Sequence, residues 1–294
     1  MEKKFLPIIF LVLLLFLIGA TSAYTLSSKD DYLWIEYEKQ IKEKNGSVTQ
    51  PLSIHYGRFP DKKGDVSDLE DVKVFYTLNK EDENGENIFY GADIEKDKKT
   101  SFVRINSLKT NCVTVIVKGK RSSGEMEYNY LAKASFFLFG HSPFKEKEIE
   151  PVLSDEIGNR LEICIAPEHS YWPQTGDHVK LAPLFDKNPL GKKKIHIADE
   201  NKNPIDVETN DEGNFVYISS DDKKLRQKGL TAYKQTVILA EETEGNITYK
   251  SSYTLLFHRS RFGNRNLILG SSIFAGTMAV TFVIIAIRRR KFRV

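Results

Sequence analysis

Between residues 24 and 258 the apolar side chains come in short runs broken by polar punctuation, with hardly any long stripe at helical spacing. Leu52-Ser-Ile-His-Tyr56 alternates with a period of two, the pattern of a strand with one buried face. Tyr32–Glu36, Val72–Tyr76, Ser101–Ile105, Cys112–Val117 and Tyr128–Phe139 are further runs rich in Val, Ile, Thr, Tyr and Phe. After residue 160 the pattern resumes with Leu161–Ile165, Val179–Ala182, Lys194–Ile197, Asn214–Ile218, Gln235–Leu239 and Tyr249–Phe257. Many short strands with turn signals between them predict an all-β body of two tandem β-sandwich domains, residues 24–140 and 161–258. The segment 141–160 is charged and holds Pro143 and Pro151, so it reads as the linker.

The two ends break this pattern. Lys3 and Lys4 precede an apolar run from Phe5 to Ile18, and Thr21 and Ala23 supply the small residues of a cleavage site. Residues 1–23 therefore read as a secretory signal peptide. Leu267 to Ile287 carries no charged residue and, at about 1.5 Å per residue, covers roughly 30 Å of hydrocarbon. It predicts a single C-terminal transmembrane α-helix, reached through a stalk at 259–266. The basic tail at 288–294, with Arg288, Arg289, Arg290, Lys291 and Arg293, stays on the cytoplasmic side. The expected topology is a single-pass type I protein of the cell membrane with its body extracytoplasmic.

Charge supports that division. The 294 residues hold 43 Lys and Arg against 40 Asp and Glu, a formal +3. Setting aside the seven basic residues of the two ends and Glu2 leaves 36 basic against 39 acidic side chains. The body is slightly acidic, without the basic excess a nucleic-acid binder needs. Lys192-Lys193-Lys194 and Lys223-Lys224 read as solvated turns. The two cysteines, Cys112 and Cys164, exclude a disulfide scaffold and a cysteine-cluster metal site. Both sit in apolar runs and read as buried thiols, although pairing is open in an oxidising compartment. Asn45 and Asn246 head glycosylation sequons. No Gly-x-Ser-x-Gly elbow, His-Glu-x-x-His or phosphate-cradling Gly loop is present, so no enzyme is expected.

One turn is more specific. Thr209-Asn-Asp-Glu-Gly213 joins two strands, and Phe215 follows it back into the core. It looks like the turn of carboxypeptidase-regulatory-like (transthyretin-like) sandwich domains. Asp206, Glu208, Asp211 and Glu212 around it resemble a calcium cluster, but read better as a solvated hairpin without loop spacing for the ion. Other pieces fall in order along the chain: Leu33-Trp34-Ile35-Glu36, Leu52 to Pro60, Tyr130 to Gly140, Leu161-Glu-Ile163, Pro173-Gln-Thr-Gly-Asp177, Leu184 to Leu190 and Asn210 to Phe215. Together they resemble an exported domain-of-unknown-function family associated with nickel and cobalt uptake. Its members carry a first β domain followed by a carboxypeptidase-regulatory-like one. The resemblance implies an accessory or binding subunit in a metal-uptake transporter complex, with nickel or cobalt as cargo. The chain departs from the family at two positions. Asp30-Asp31-Tyr32 stands where members show a His before Leu-Trp, and Gly57-Arg58 where they carry Gly-His before Phe-Pro. Arg stays protonated and does not ligate a metal, so two nitrogen donors are missing.

Among the remaining histidines, His169, Asp177 and His178 flank Tyr171-Trp172-Pro173, and a loop folding back would converge them as metal ligands. The sequence thus points to a membrane-anchored, non-catalytic extracytoplasmic binding subunit. A cell-surface adhesion or docking module without metal is the other expectation.

Overall fold

The computed structural model describes residues 31–78, 88–97, 100–107, 111–138, 157–166, 173–200, 204–220 and 233–259, and then 272, 274–278 and 281. The predicted signal peptide lies outside the described residues. Of the predicted span only 272, 274–278 and 281 are described, all helical, and no helix among the described residues is long and apolar enough to cross a membrane.

The all-β expectation holds. Every predicted run between Tyr32 and Phe257 is a strand, and three sheets arise from them. The first has the order β1 (Tyr32–Tyr37), β3 (Val48–Arg58), β8 (Thr100–Ser107), β7 (Glu95–Asp97), with β2 (Ile41–Lys42) and β4 (Lys62–Gly64) added against β3. The second has eight strands: β15 (Ile205–Glu208), β14 (Lys194–Asp199), β17 (Tyr233–Glu244), β18 (Ile247–His258), β10 (Met126–Leu138), β9 (Asn111–Ser123), β5 (Glu70–Thr77) and β6 (Tyr90–Ala92). The third places β12 (His178–Phe185) between β11 (Leu161–Ile165) on one side and β13 (Asn188–Pro189) and β16 (Phe215–Ile218) on the other.

The arrangement differs from two sandwiches in tandem at one point. β10 and β18 pair in parallel, Glu127 opposite Ile247 through Ala134 opposite Thr254, so both halves of the chain build one central sheet. Period-two alternation then assigns the two cores. Tyr130, Ala132, Ala134 and Phe136 of β10 pack with Leu33, Ile35, Leu52 and Ile54 of the six-stranded sheet. Tyr249, Tyr253, Leu255 and Phe257 of β18 pack instead with Ile163, Val179 and Phe215 of the four-stranded sheet. The two smaller sheets therefore cover opposite faces of the central one. A strand covered on both faces loses its solvent side, which is why β18 is buried almost throughout.

That burial leaves polar side chains to satisfy. Lys250, Ser252 and Thr254 of β18 donate to the backbone carbonyls of Asp31 (3.3 Å), Leu33 (2.6 Å) and Ile35 (2.8 Å) on β1. Gln235 of β17 accepts from the Tyr37 amide at 3.0 Å and donates to its carbonyl at 3.1 Å. β1 is an edge strand, and these bonds occupy the edge that would otherwise stay unpaired. On the other face Lys133 of β10 reaches Glu162 of β11 at 3.1 Å, both side chains almost fully buried, with the Cys164 sulfur 3.6 Å from the same ammonium.

The segment Thr209–Gly213 does not close a hairpin. It carries the chain from β15 in the central sheet to β16 in the four-stranded sheet, held by Asn210 N–H to Asn214 O (2.8 Å) and Gly213 N–H to Asn210 O (3.0 Å). Two of the four acidic side chains around it have partners, Asp206 in Lys194 and the His196 ring and Asp211 in Lys192.

Candidate functional site

Of the predicted metal residues, Asp177 and His178 sit beside the end of β18. His169 lies outside the described residues. Asp177 and His178 are exposed at the start of β12. Asp177 accepts from the Gln174 amide at 2.7 Å, an arrangement that closes the turn before β12. The same turn is tied to the last residue of β18, with Thr175 N–H to His258 O and His258 N–H to Pro173 O, both 2.8 Å. Burial pushes the His258 imidazole down to about 4. Among the described residues no group of three His, Cys, Asp or Glu side chains comes together as a metal site.

The two cysteines are free and buried. Burial drives the Cys112 thiol up to about 12 and the Cys164 thiol up to about 11, the latter against the pull of Lys133. Neither is poised as a thiolate nucleophile.

β1 and β3 bring together a second cluster of polar side chains. Trp34 of β1 stands directly opposite His55 of β3, with ring centroids 4.5 Å apart. His55 Nε2 lies 3.0 Å from a Glu36 oxygen, and Lys63 donates to the same carboxylate at 2.7 Å. Burial raises the Glu36 pKa, but the bonds from His55 and Lys63 outweigh it and hold the carboxyl below its ordinary value. With Lys63 on it, this carboxylate is occupied by a cation from the chain itself.

A cleft of about 460 Å³ opens at the other end of β18. Its floor is the face of the central sheet that also carries the four-stranded sheet. Ile247 and Tyr249 begin β18, Glu127 and Asn129 begin β10, and Lys118 and Lys120 alternate on β9. Lys73 of β5 stands directly opposite Lys118. A bulge between Glu70 and Lys73 gives Asp71 a φ of 51° and sets it on the rim. The wall is Gly158-Asn159-Arg160, leading into β11. Arg160 is fixed by Asp186, Glu244 and the Tyr249 hydroxyl (3.2 Å). Lys120 pairs with Glu127 at 3.5 Å, and Lys118 donates to the Ile157 carbonyl. Burial, then Lys73, then Lys120 push the Lys118 amine below its ordinary pKa, with Asp71 opposing.

Sequence reading missed this cleft. Lys73 and Lys118 are 45 positions apart, and only strand register makes them neighbours. The one local signal is the alternation Lys118-Gly119-Lys120 at the end of an apolar run. Comparison with protein-family models gives no match, and comparison with curated proteins gives none either.

Proposed function

We propose that the protein is a non-catalytic binding subunit, exported and held at the outer side of the cell membrane by its C-terminal segment, with the cleft turned away from the bilayer. The observation that supports this reading is the course of β18. The strand runs from Ile247 at the cleft to His258 at the opposite end, roughly 35–40 Å for a strand of its length. A span at 267–287 would then leave from the end without the cleft, and the stalk at 259–266 would keep that end close to the lipid. The two sandwich units, 24–140 and 161–258, would move together through the sheet they share.

The cargo side of the proposal follows from the family resemblance, a nickel or cobalt uptake transporter being the neighbour it implies. His169, Asp177 and His178 would hold the ion at the membrane-facing end. A second reading, an adhesion or docking module without metal, draws on Val216 (50% exposed) and Ile218 (48%) on the edge strand β16, where a partner strand can add.

Titration calorimetry of the full chain in detergent with Ni(II), Co(II), Zn(II) and Ca(II) separates the two. Micromolar or tighter nickel or cobalt binding, weakened by His169→Ala or His178→Ala, supports the cargo reading. Absence of heat with every ion supports docking without metal.

A further inference from the structure

We propose that the cleft beside β11 is an oxyanion site that takes the phosphate or carboxylate groups of a small ligand on Lys73, Lys118 and Lys120. The inference goes beyond the proposed function, which assigns the cleft no ligand, and it names the chemistry the cleft accepts.

The first argument is register. Lys73 and Lys118 are directly opposed across β5 and β9, and Lys118 and Lys120 lie two residues apart on the same face. The three lysines thus leave the sheet from one patch, with about 5–7 Å between neighbouring Cβ atoms. Like charges placed directly opposite are unfavourable in a sheet. The same face of β9 is buried up to Ile116, which packs with Leu131, and turns to lysine only at the cleft. Burial first, then Lys73 and Lys120, hold the Lys118 amine below its ordinary pKa. An oxyanion among the three lysines turns that repulsion into attraction.

The second argument is the balance of charge around the patch. Glu127 pairs with Lys120, which also stands opposite Glu70, and Asp71 acts on Lys118, whereas Lys73 makes no ion pair among the described residues and is the lysine left for a ligand. Arg160 is committed to Asp186 and Glu244 and serves as a fixed wall. The arrangement repels a metal cation. Its volume suits a small molecule, and Ile247 with the Tyr249 ring gives an apolar side for an organic body. A polyanion such as nucleic acid needs a longer basic track than three lysines.

The test is thermal unfolding of the full chain in detergent with pyrophosphate or citrate, at ionic strength matched with sodium chloride. One or both anions should raise the midpoint by about 5 °C at saturation. Pyrophosphate alone acting identifies a phosphate-bearing ligand, and citrate alone a carboxylate. Lys73→Thr and Lys118→Met should abolish the shift while raising the midpoint of the anion-free protein, a gain that a purely structural lysine would not give. Lys42→Thr, on the exposed strand β2 and outside the cleft, should change neither. A shift of equal size in Lys73→Thr and the unsubstituted chain would overturn the proposal, as would no shift from either anion. The readout is indifferent to membrane topology, so a negative result here leaves the anchored orientation standing, and a wrong orientation leaves this result intact.

Discussion

His258 closes β18 with its backbone tied to the segment 173–175 on either side, and its ring edges against Tyr233 at 6.3 Å. Burial holds its folded pKa at about 4, below the ordinary 6.5. Between those values the unfolded chain binds the extra proton, so stability is complete above pH 6.5 and falls as pH drops toward 4. The shift amounts to about 3 kcal/mol across that window. Denaturant unfolding at pH 7 and pH 4.5 should show most of this loss, and His258→Leu should flatten it. The Lys133–Glu162 pair makes a different prediction. Lys133→Met or Glu162→Leu alone leaves its partner's charge uncompensated in the interior and should destabilise by about 3–5 kcal/mol, whereas the double Lys133→Met, Glu162→Leu should come close to neutral. A double-mutant cycle in urea checks both. Single residues were unevenly legible in the sequence. Cys112 and Cys164 read as buried thiols from their apolar neighbours and are free and buried. The burial of Lys133 and Lys250 leaves no local mark, because the strands that cover them come from other parts of the chain.

At the scale of elements, the Thr209–Gly213 crossing shows how one residue places a strand. Gly213 has φ of 78°, and a Cβ there would lie 2.5 Å from the Pro189 side chain and 2.9 Å from the Leu190 backbone. Gly213→Ala should therefore destabilise by more than the roughly 1 kcal/mol that the same replacement gains at a compatible site, read as a lowered denaturation midpoint with unchanged slope. The long strands were legible because their runs of Val, Ile and aromatic residues exceed any helical alternative in consistency. The short ones, β2, β4, β6, β7 and β13, were not, since two or three residues carry no period. The polar alternation Lys250, Ser252, Thr254 was readable as a strand but not as the clasp on the edge of β1. An alternating polar face ordinarily means water, and here it means another strand's carbonyls.

At the scale of the molecule, the parallel pairing of β10 with β18 decides how the body behaves. Neither half owns the central sheet, so the two cores on its faces should unfold together. Scanning calorimetry of the full chain should give one transition for the β body, with calorimetric and van't Hoff enthalpies equal. Two separated transitions would mean that the halves stand independently. Residues 24–140 alone should not fold, because β10 would lose its parallel neighbour and β1 its edge partners. This sharing was hidden in the sequence, since pairing between strands more than a hundred residues apart leaves no local mark. The same sheet sets the proposed orientation, with the cleft at one end of β18 and the chain's exit toward the span at the other. The buried, unreactive native cysteines make that orientation directly measurable. Ser123 is exposed at the end of β9 beside the cleft, and Val294 ends the basic tail. In intact cells a membrane-impermeant maleimide should label Ser123→Cys and spare Val294→Cys until lysis. Labelling of Val294→Cys in intact cells, or of Ser123→Cys only after lysis, would contradict the anchored, outward-facing account.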